Sequence, residues 1–173
     1  MDSSREQFSQ IYDQYIEKIY RFVYLKVNSQ EIAEDLTSKV FLNGWQAYQK
    51  NSETIENQGA FLYKIARNAV IDHYREKGRA KIVSADYLTQ IPDQKTDLQG
   101  KAILSSDVET VRLAIQNIKQ DYQDIIIWHY LDDMPIEQVA QNMDKTVGTA
   151  RVMLHRALKA LKKECNKNIN FSS

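Results

Sequence analysis

Apolar side chains recur along most of this chain with the period of a helix. Phe8, Ile11, Tyr12, Tyr15, Ile19, Phe22 and Val23 keep that period over Gln7–Lys26, as one buried face requires. Asn28 and Ser29 supply a turn and a cap. A second helix is expected from Gln30 to Tyr48, with Ile32, Leu36, Val40, Phe41 and Trp45 inward. Glu31, Glu34 and Asp35 lie near its positive N-terminal end. The polar stretch Gln49–Gln58 is a loop. A third helix, Gly59 to Lys77, turns Leu62, Ile65, Ala66, Ala69 and Val70 inward, and Gly78 is expected to close it. Arg79–Ser106 then loses the period. A structureless stretch of this length is uncommon inside one compact domain, so it reads as a linker. Its apolar residues Ile82, Val83, Leu88 and Ile91 are too few to build a core, and little core is expected to cross it. Helices resume at Asp107, with Val108, Val111, Ile115 and Ile118 on one stripe and Ile125, Ile126, Trp128 and Leu131 on the next.

The pattern is sharpest over Met134–Lys163. Pro135 stands where a helix begins, its missing N–H costing little there. Ile136, Val139, Ala140 and Met143 form a short buried stripe, broken at Asp144 and Lys145. Thr146 suits the N-cap of a second helix. Val147, Ala150, Leu154, Ala157, Leu158 and Leu161 make that helix's dry face. The opposite face holds Gly148, Thr149, Val152, His155, Arg156, Lys159 and Lys163, with Arg151 at its edge. Two short helices, a tight turn and a basic outer face make a helix-turn-helix, whose second helix fits the major groove. The plainer alternative is a helical hairpin with a solvated Lys/Arg face. Such a face usually mixes in acids, and Glu164 is the only acid between Thr146 and Lys167.

Composition narrows the class. The 173 residues, 43% hydrophobic with 5 Gly and 2 Pro, suit a soluble helical chain of one domain or two small ones. Lys+Arg and Asp+Glu balance at 23 each, so distribution matters more than total charge. Basic residues gather at Lys64–Lys81 and Lys145–Lys167, which suggests two separate anionic contacts. A single cysteine, Cys165, allows no internal disulfide and fits a reducing compartment. The opening MDSSREQ is polar and acidic, unlike a signal peptide. No apolar run approaches the ~18 residues of a membrane span. A cytoplasmic protein is expected. His129, Asp132 and Asp133 do not converge as metal ligands do. His73 beside Asp72 lacks the further ligands of a metal phosphohydrolase. No phosphate loop or nucleophile elbow appears. No catalytic residue, metal, cofactor or small-molecule substrate is expected.

In this order the elements resemble the sigma factors of bacterial RNA polymerase, specifically the extracytoplasmic-function group. Glu34–Trp45, EDLTSKVFLNGW, is similar to the polymerase-binding helix of region two. Ala60–Arg79, AFLYKIARNAVIDHYREKGR, is similar to the helix that recognises and melts the downstream (minus-ten) element. Asp121–Lys163 resembles region four, which reads the upstream (minus-thirty-five) element. The ordered set carries the resemblance more than any one stretch. Three positions depart from the family pattern. Ser38 and Lys39 stand where Gln and an acid are common, Phe61 where a Trp is common, and Met153 where a second basic residue is frequent.

The resemblance implies an all-α chain of two small helical domains joined by a flexible linker. Region two would span residues 1–78, the linker 79–106, region four 107–166, and a frayed polar tail 167–173. It implies core RNA polymerase and promoter DNA as partners, and leaves room for an anti-sigma factor. Asp35, Leu36, Phe41 and Trp45 would support polymerase docking, some by contact and some by packing. At the downstream element, Lys64, Arg67 and Arg75 would neutralise phosphates, and Asn68 and Asp72 would bond base edges. Asn51 and Asn57 would hold a base taken out of the stack. Phe61 and Tyr74 either stack on bases or pack into the core. At the upstream element, Thr146, Thr149 and Val152 would line the groove, Arg151 and His155 would read bases, and Arg156 and Lys159 would hold phosphates. Two rival readings remain at this stage. One is a self-sufficient, dimeric helix-turn-helix regulator, and the other is an adaptor whose basic helices bind acidic proteins.

Overall fold

The computed structural model describes residues 2–83 and 106–171, and all its regular elements are helical. Helix α1, Asp2–Val27, ends where Asn28 takes a left-handed φ of 54° and its N–H bonds back to Tyr24. Asparagine tolerates that conformation better than most residues. Helix α2, Gln30–Asn51, is capped by Ser29, whose hydroxyl accepts the N–H of Ile32 at 3.3 Å. A 3-10 turn, Ser52–Thr54, leads to helix α3, Gln58–Val83. The three helices pack into a bundle around Phe8, Ile11, Ile19, Val40, Leu62 and Val70. Gly44 lets α2 and α3 approach closely, since a Cβ there would stand 3.2 Å from Leu62.

The C-terminal half contains α4, Ser106–Gln116, and α5, Gln120–Ile126, with a π-helical turn at Ile127–Leu131. Helices α6, Ile136–Asn142, and α7, Val147–Phe171, follow. Several helix ends differ from the sequence reading: α1 starts at Asp2, and α2 runs on to Asn51 into the expected loop. Helix α3 runs through Gly78 to Val83, and Gly78 has no positive φ. A helical glycine costs about 1 kcal/mol relative to alanine and need not stop a helix. The polar tail expected to fray stays helical to Phe171. Most of the expected linker, residues 84–105, lies outside the described residues.

The larger correction is that the two halves share a core. Trp128, wholly buried, stacks on Phe22 of α1 with ring centroids 5.5 Å apart and meets Tyr63 of α3 edge-on at 5.2 Å. Ile125, Ile126, Ile127 and Trp128 are four consecutive buried residues. They must face more than one side of their helix, so they fill their own bundle and reach the other one. No acceptor meets the Trp128 indole N–H among the described residues, which offsets part of the gain by about 1–3 kcal/mol.

Charge crosses the same seam. Lys26 and Asp124, each only 1% exposed, form an ion pair, and the Lys26 ammonium lies 4.9 Å from the centre of the Phe22 ring. Burial lowers the Lys26 pKa and raises that of Asp124, while their mutual attraction opposes both shifts.

Candidate DNA and polymerase surfaces

The turn between α6 and α7 follows from local chemistry. Asp144 adopts φ 54°, and the N–H of Lys145 bonds the carbonyl of Ala140 at 2.9 Å, closing α6. The Thr146 hydroxyl accepts the N–H of Thr149 at 3.1 Å, opening α7 as its cap. Ala150 and Ala157 are buried, while Leu154 and Leu161 are half-buried. Leu158, expected on the dry face, is exposed and lines an apolar groove with Leu25, Val111, Tyr130 and Leu131.

The outer face of α7 presents Thr149, Arg151, Val152, His155, Arg156 and Lys159, all exposed. Among the described residues, no carboxylate pairs with Arg151, Arg156 or Lys159. Val152 is 50% exposed at the centre of this face. A small apolar side chain between cations can meet a thymine methyl while its neighbours reach bases and phosphates.

The α3 face differs. Lys64, Asn68, Asp72 and Arg75 are exposed, with Arg75 3.9 Å from Asp72. Arg67 is already engaged. Its Nε bonds Asp124 at 2.8 Å and its Nη2 bonds Asp121 at 3.0 Å, both on α5. The Asn57 carbonyl oxygen accepts the N–H of Ala60, and its amide donates to Gln141 of α6 at 3.0 Å. Asn51 is exposed at the end of α2. Phe61 packs partly against the core, and the Tyr74 hydroxyl donates to the Lys26 carbonyl.

On α2, Asp35 is exposed and pairs with Lys39 one turn on at 3.2 Å. Leu36 and Phe41 are buried, and Trp45 is half-buried against Phe8 at 5.3 Å. Leu36 and Phe41 therefore pack into the core of the bundle. Asp35, Leu36 and Lys39 line a groove between α2 and α3 with Asp72, His73 and Glu76. Burial lowers the His73 pKa, and the Lys77 charge adds to it. His129 and Asp132 are also occupied. His129 Nδ1 lies 2.9 Å from the Met134 carbonyl, and Asp132 binds Arg21 and Tyr63.

Residues 11–80 match the Sigma-70 region 2 family and residues 109–161 match Sigma-70, region 4. The first match covers α2 and nearly all of α3, and the second covers the helix-turn-helix. The chain belongs to the extracytoplasmic-function sigma factors. Members of this family direct RNA polymerase to promoters. Among its relatives is the ECF sigma factor SigW of Bacillus subtilis, 26% identical over 92% of this chain and 89% of that protein. YlaC of the same species, named an RNA polymerase sigma factor, is 26% identical over 95% of both chains. BldN of Streptomyces coelicolor, an ECF sigma factor, is 25% identical over 90% of this chain, which spans 59% of that longer protein. The sigma factor RpoE of Bartonella quintana, solved in complex with the anti-sigma factor NepR, shares the fold. Its TM-score is 0.71 at 21% identity, covering 93% of this chain and 98% of that one.

In sigma terms, region two is the bundle of α1, α2 and α3, and region four is α4 to α7. The sequence reading missed the contribution of α5 to the region-two surface. The sequence reading gave no role to Asp121 or Asp124. The available signal was Asp124 itself, placed directly before four apolar residues that leave no side of the helix free for solvent.

Proposed function

We propose that this sigma factor docks on core RNA polymerase through the α2–α3 groove and reads a promoter with α7 and α3. Thr146 and Thr149 set the entry of α7 into the major groove. Arg151 and His155 read base edges beside Val152, while Arg156 and Lys159 hold phosphates further along the helix. The observation that carries this reading is the capped helix α7, whose exposed Arg151, Arg156 and Lys159 have no acidic partner among the described residues. Lys64, Arg67 and Arg75 meet downstream phosphates, with Asn68, Asp72, Phe61 and Tyr74 near the bases and Asn51 and Asn57 at the flipped one. Both regions held on one polymerase make the second DNA contact effectively intramolecular.

The chain performs no chemistry of its own in this reading and works in the cytoplasm, where polymerase and promoters are. The boundaries of region two at 78 and region four at 107 serve as working limits. An anti-sigma factor is a further partner class, as for the Bartonella RpoE relative. A transcription assay with core polymerase tests the whole reading. The chain should support initiation from its promoter, and Asp35→Arg should weaken core binding by about tenfold, since like charges at an interface are costly. Failure to bind core polymerase would return the dimeric regulator to first place.

A further inference from the structure

The groove between α2 and α3 carries a charge pattern that docking through α2 alone leaves unused. It encloses about 570 Å³, room for several side chains of a partner. Buried Leu36 and half-buried Ile32 and Ala69 line its depth. Its walls carry four acids, Glu31 and Asp35 on α2 and Asp72 and Glu76 on α3. Two of them have a cation on their own helix. Asp35 pairs with Lys39 at 3.2 Å, and Asp72 lies 3.9 Å from Arg75. Glu31 and Glu76 are exposed and join no ion pair among the described residues. They stand on opposite walls. Burial lowers the His73 pKa, so at neutral pH this groove residue adds no charge to offset them.

Two unpaired carboxylates over an apolar floor repel DNA phosphates and complement a basic protein segment. The groove is continuous with the docking helix, since Asp35 and Leu36 belong to both. We propose that Glu31 and Glu76 are the charged contacts of polymerase docking. They grip, from both walls, a segment of core polymerase that sets an apolar side chain on Ile32, Leu36 and Ala69 between two lysines or arginines. Asp35 holds Lys39 back from that segment. The docking surface therefore crosses from α2 to the groove face of α3. The inference rests on docking through this groove, and the experiment separates the two.

The test measures affinity of the full chain for core RNA polymerase at several salt concentrations, by competition with fluorescent wild-type chain. Glu31→Gln/Glu76→Gln should weaken binding about fivefold at low salt and flatten its salt dependence, because exposed ion pairs are weak and screened. Both positions are exposed, so the fold should survive, which circular dichroism checks. Unchanged affinity would overturn the proposal. Asp13→Asn/Glu17→Gln removes the same charge from exposed positions of α1 and should leave binding unchanged. An equal loss there would make the effect one of net charge and overturn the contact. Lys39→Gln frees Asp35 and should tighten binding about twofold. The absence of a gain would overturn the part given to Lys39, and a loss would overturn the basic partner as well. Asp35→Arg locates a failure. If it weakens core binding while Glu31→Gln/Glu76→Gln does not, docking through the groove stands and the paired carboxylates fail. If neither matters, docking through the groove fails too.

Discussion

The two surfaces assigned to DNA are in opposite conditions. The face of α7 is exposed, and its cations lack acidic partners among the described residues. The face of α3 has its central cation, Arg67, held by Asp121 and Asp124. The contrast arises from what packs against each helix. Helix α7 buries only its inner stripe, within its own region. Helix α3 has two neighbours, its own bundle and the α5–α6 side of region four. A basic residue in sequence is therefore a DNA contact in waiting only if no other part of the chain reaches it first.

The largest change should come from removing the anchor of that second neighbour. Trp128→Ala deletes a fully buried indole between Phe22 and Tyr63. It should cost about 3–5 kcal/mol in denaturant unfolding. In whatever fraction stays folded, Arg67 should become available and the two faces more alike. A loss under about 0.5 kcal/mol, the scale of an exposed site, would mean that the seam is not a true core.

The open face should respond directly. Arg151→Ala should cost about 1–3 kcal/mol at one upstream-element position and relax specificity there. Lys159→Ala should weaken all sequences alike and flatten the salt dependence. Binding measured across upstream variants and salt concentrations separates the two. An equal loss for Arg151→Ala on every variant would demote it to a phosphate contact.

How far the sequence could be read follows the same division. Local features were legible: the Ser29 and Thr146 caps, the Asn28 and Asp144 turns, the stripe of α6 and the outer face of α7. Each depends on residues within a turn or two. The seam was not legible, because Lys26 and Asp124 are 98 positions apart, and either alone reads as a solvated charge. Gly78 misled for another reason, since composition suggested a stop that the backbone does not need. Leu158 has the right period for the dry face, yet at its place along α7 it lines an open groove.

The smallest effect concerns a surface away from the seam. Because the folded-state His73 pKa lies below its ordinary 6.5, the unfolded chain binds more protons between those values. Stability should therefore fall as pH drops below about 6.5, with no His73 contribution above it. His73→Gln should remove that component of the pH profile while leaving affinity for a forked promoter duplex, measured without polymerase, unchanged. A change in fork affinity would tie the α2–α3 groove to the seam and blur the contrast between the two faces.

The most direct measurement is the distance between the regions with and without polymerase. Spin labels on Lys50→Cys and Lys162→Cys, in a Cys165→Ser background, sit at exposed positions of α2 and α7. Pulsed electron resonance on the free chain should give one narrow distance, as the shared core around Trp128 requires. In the holoenzyme that distance should disappear in favour of a clearly different one, because the Arg67 face must be free to meet DNA. The same narrow distance in both states would contradict the assignment of Arg67 to downstream phosphates, since Asp121 and Asp124 would still hold it.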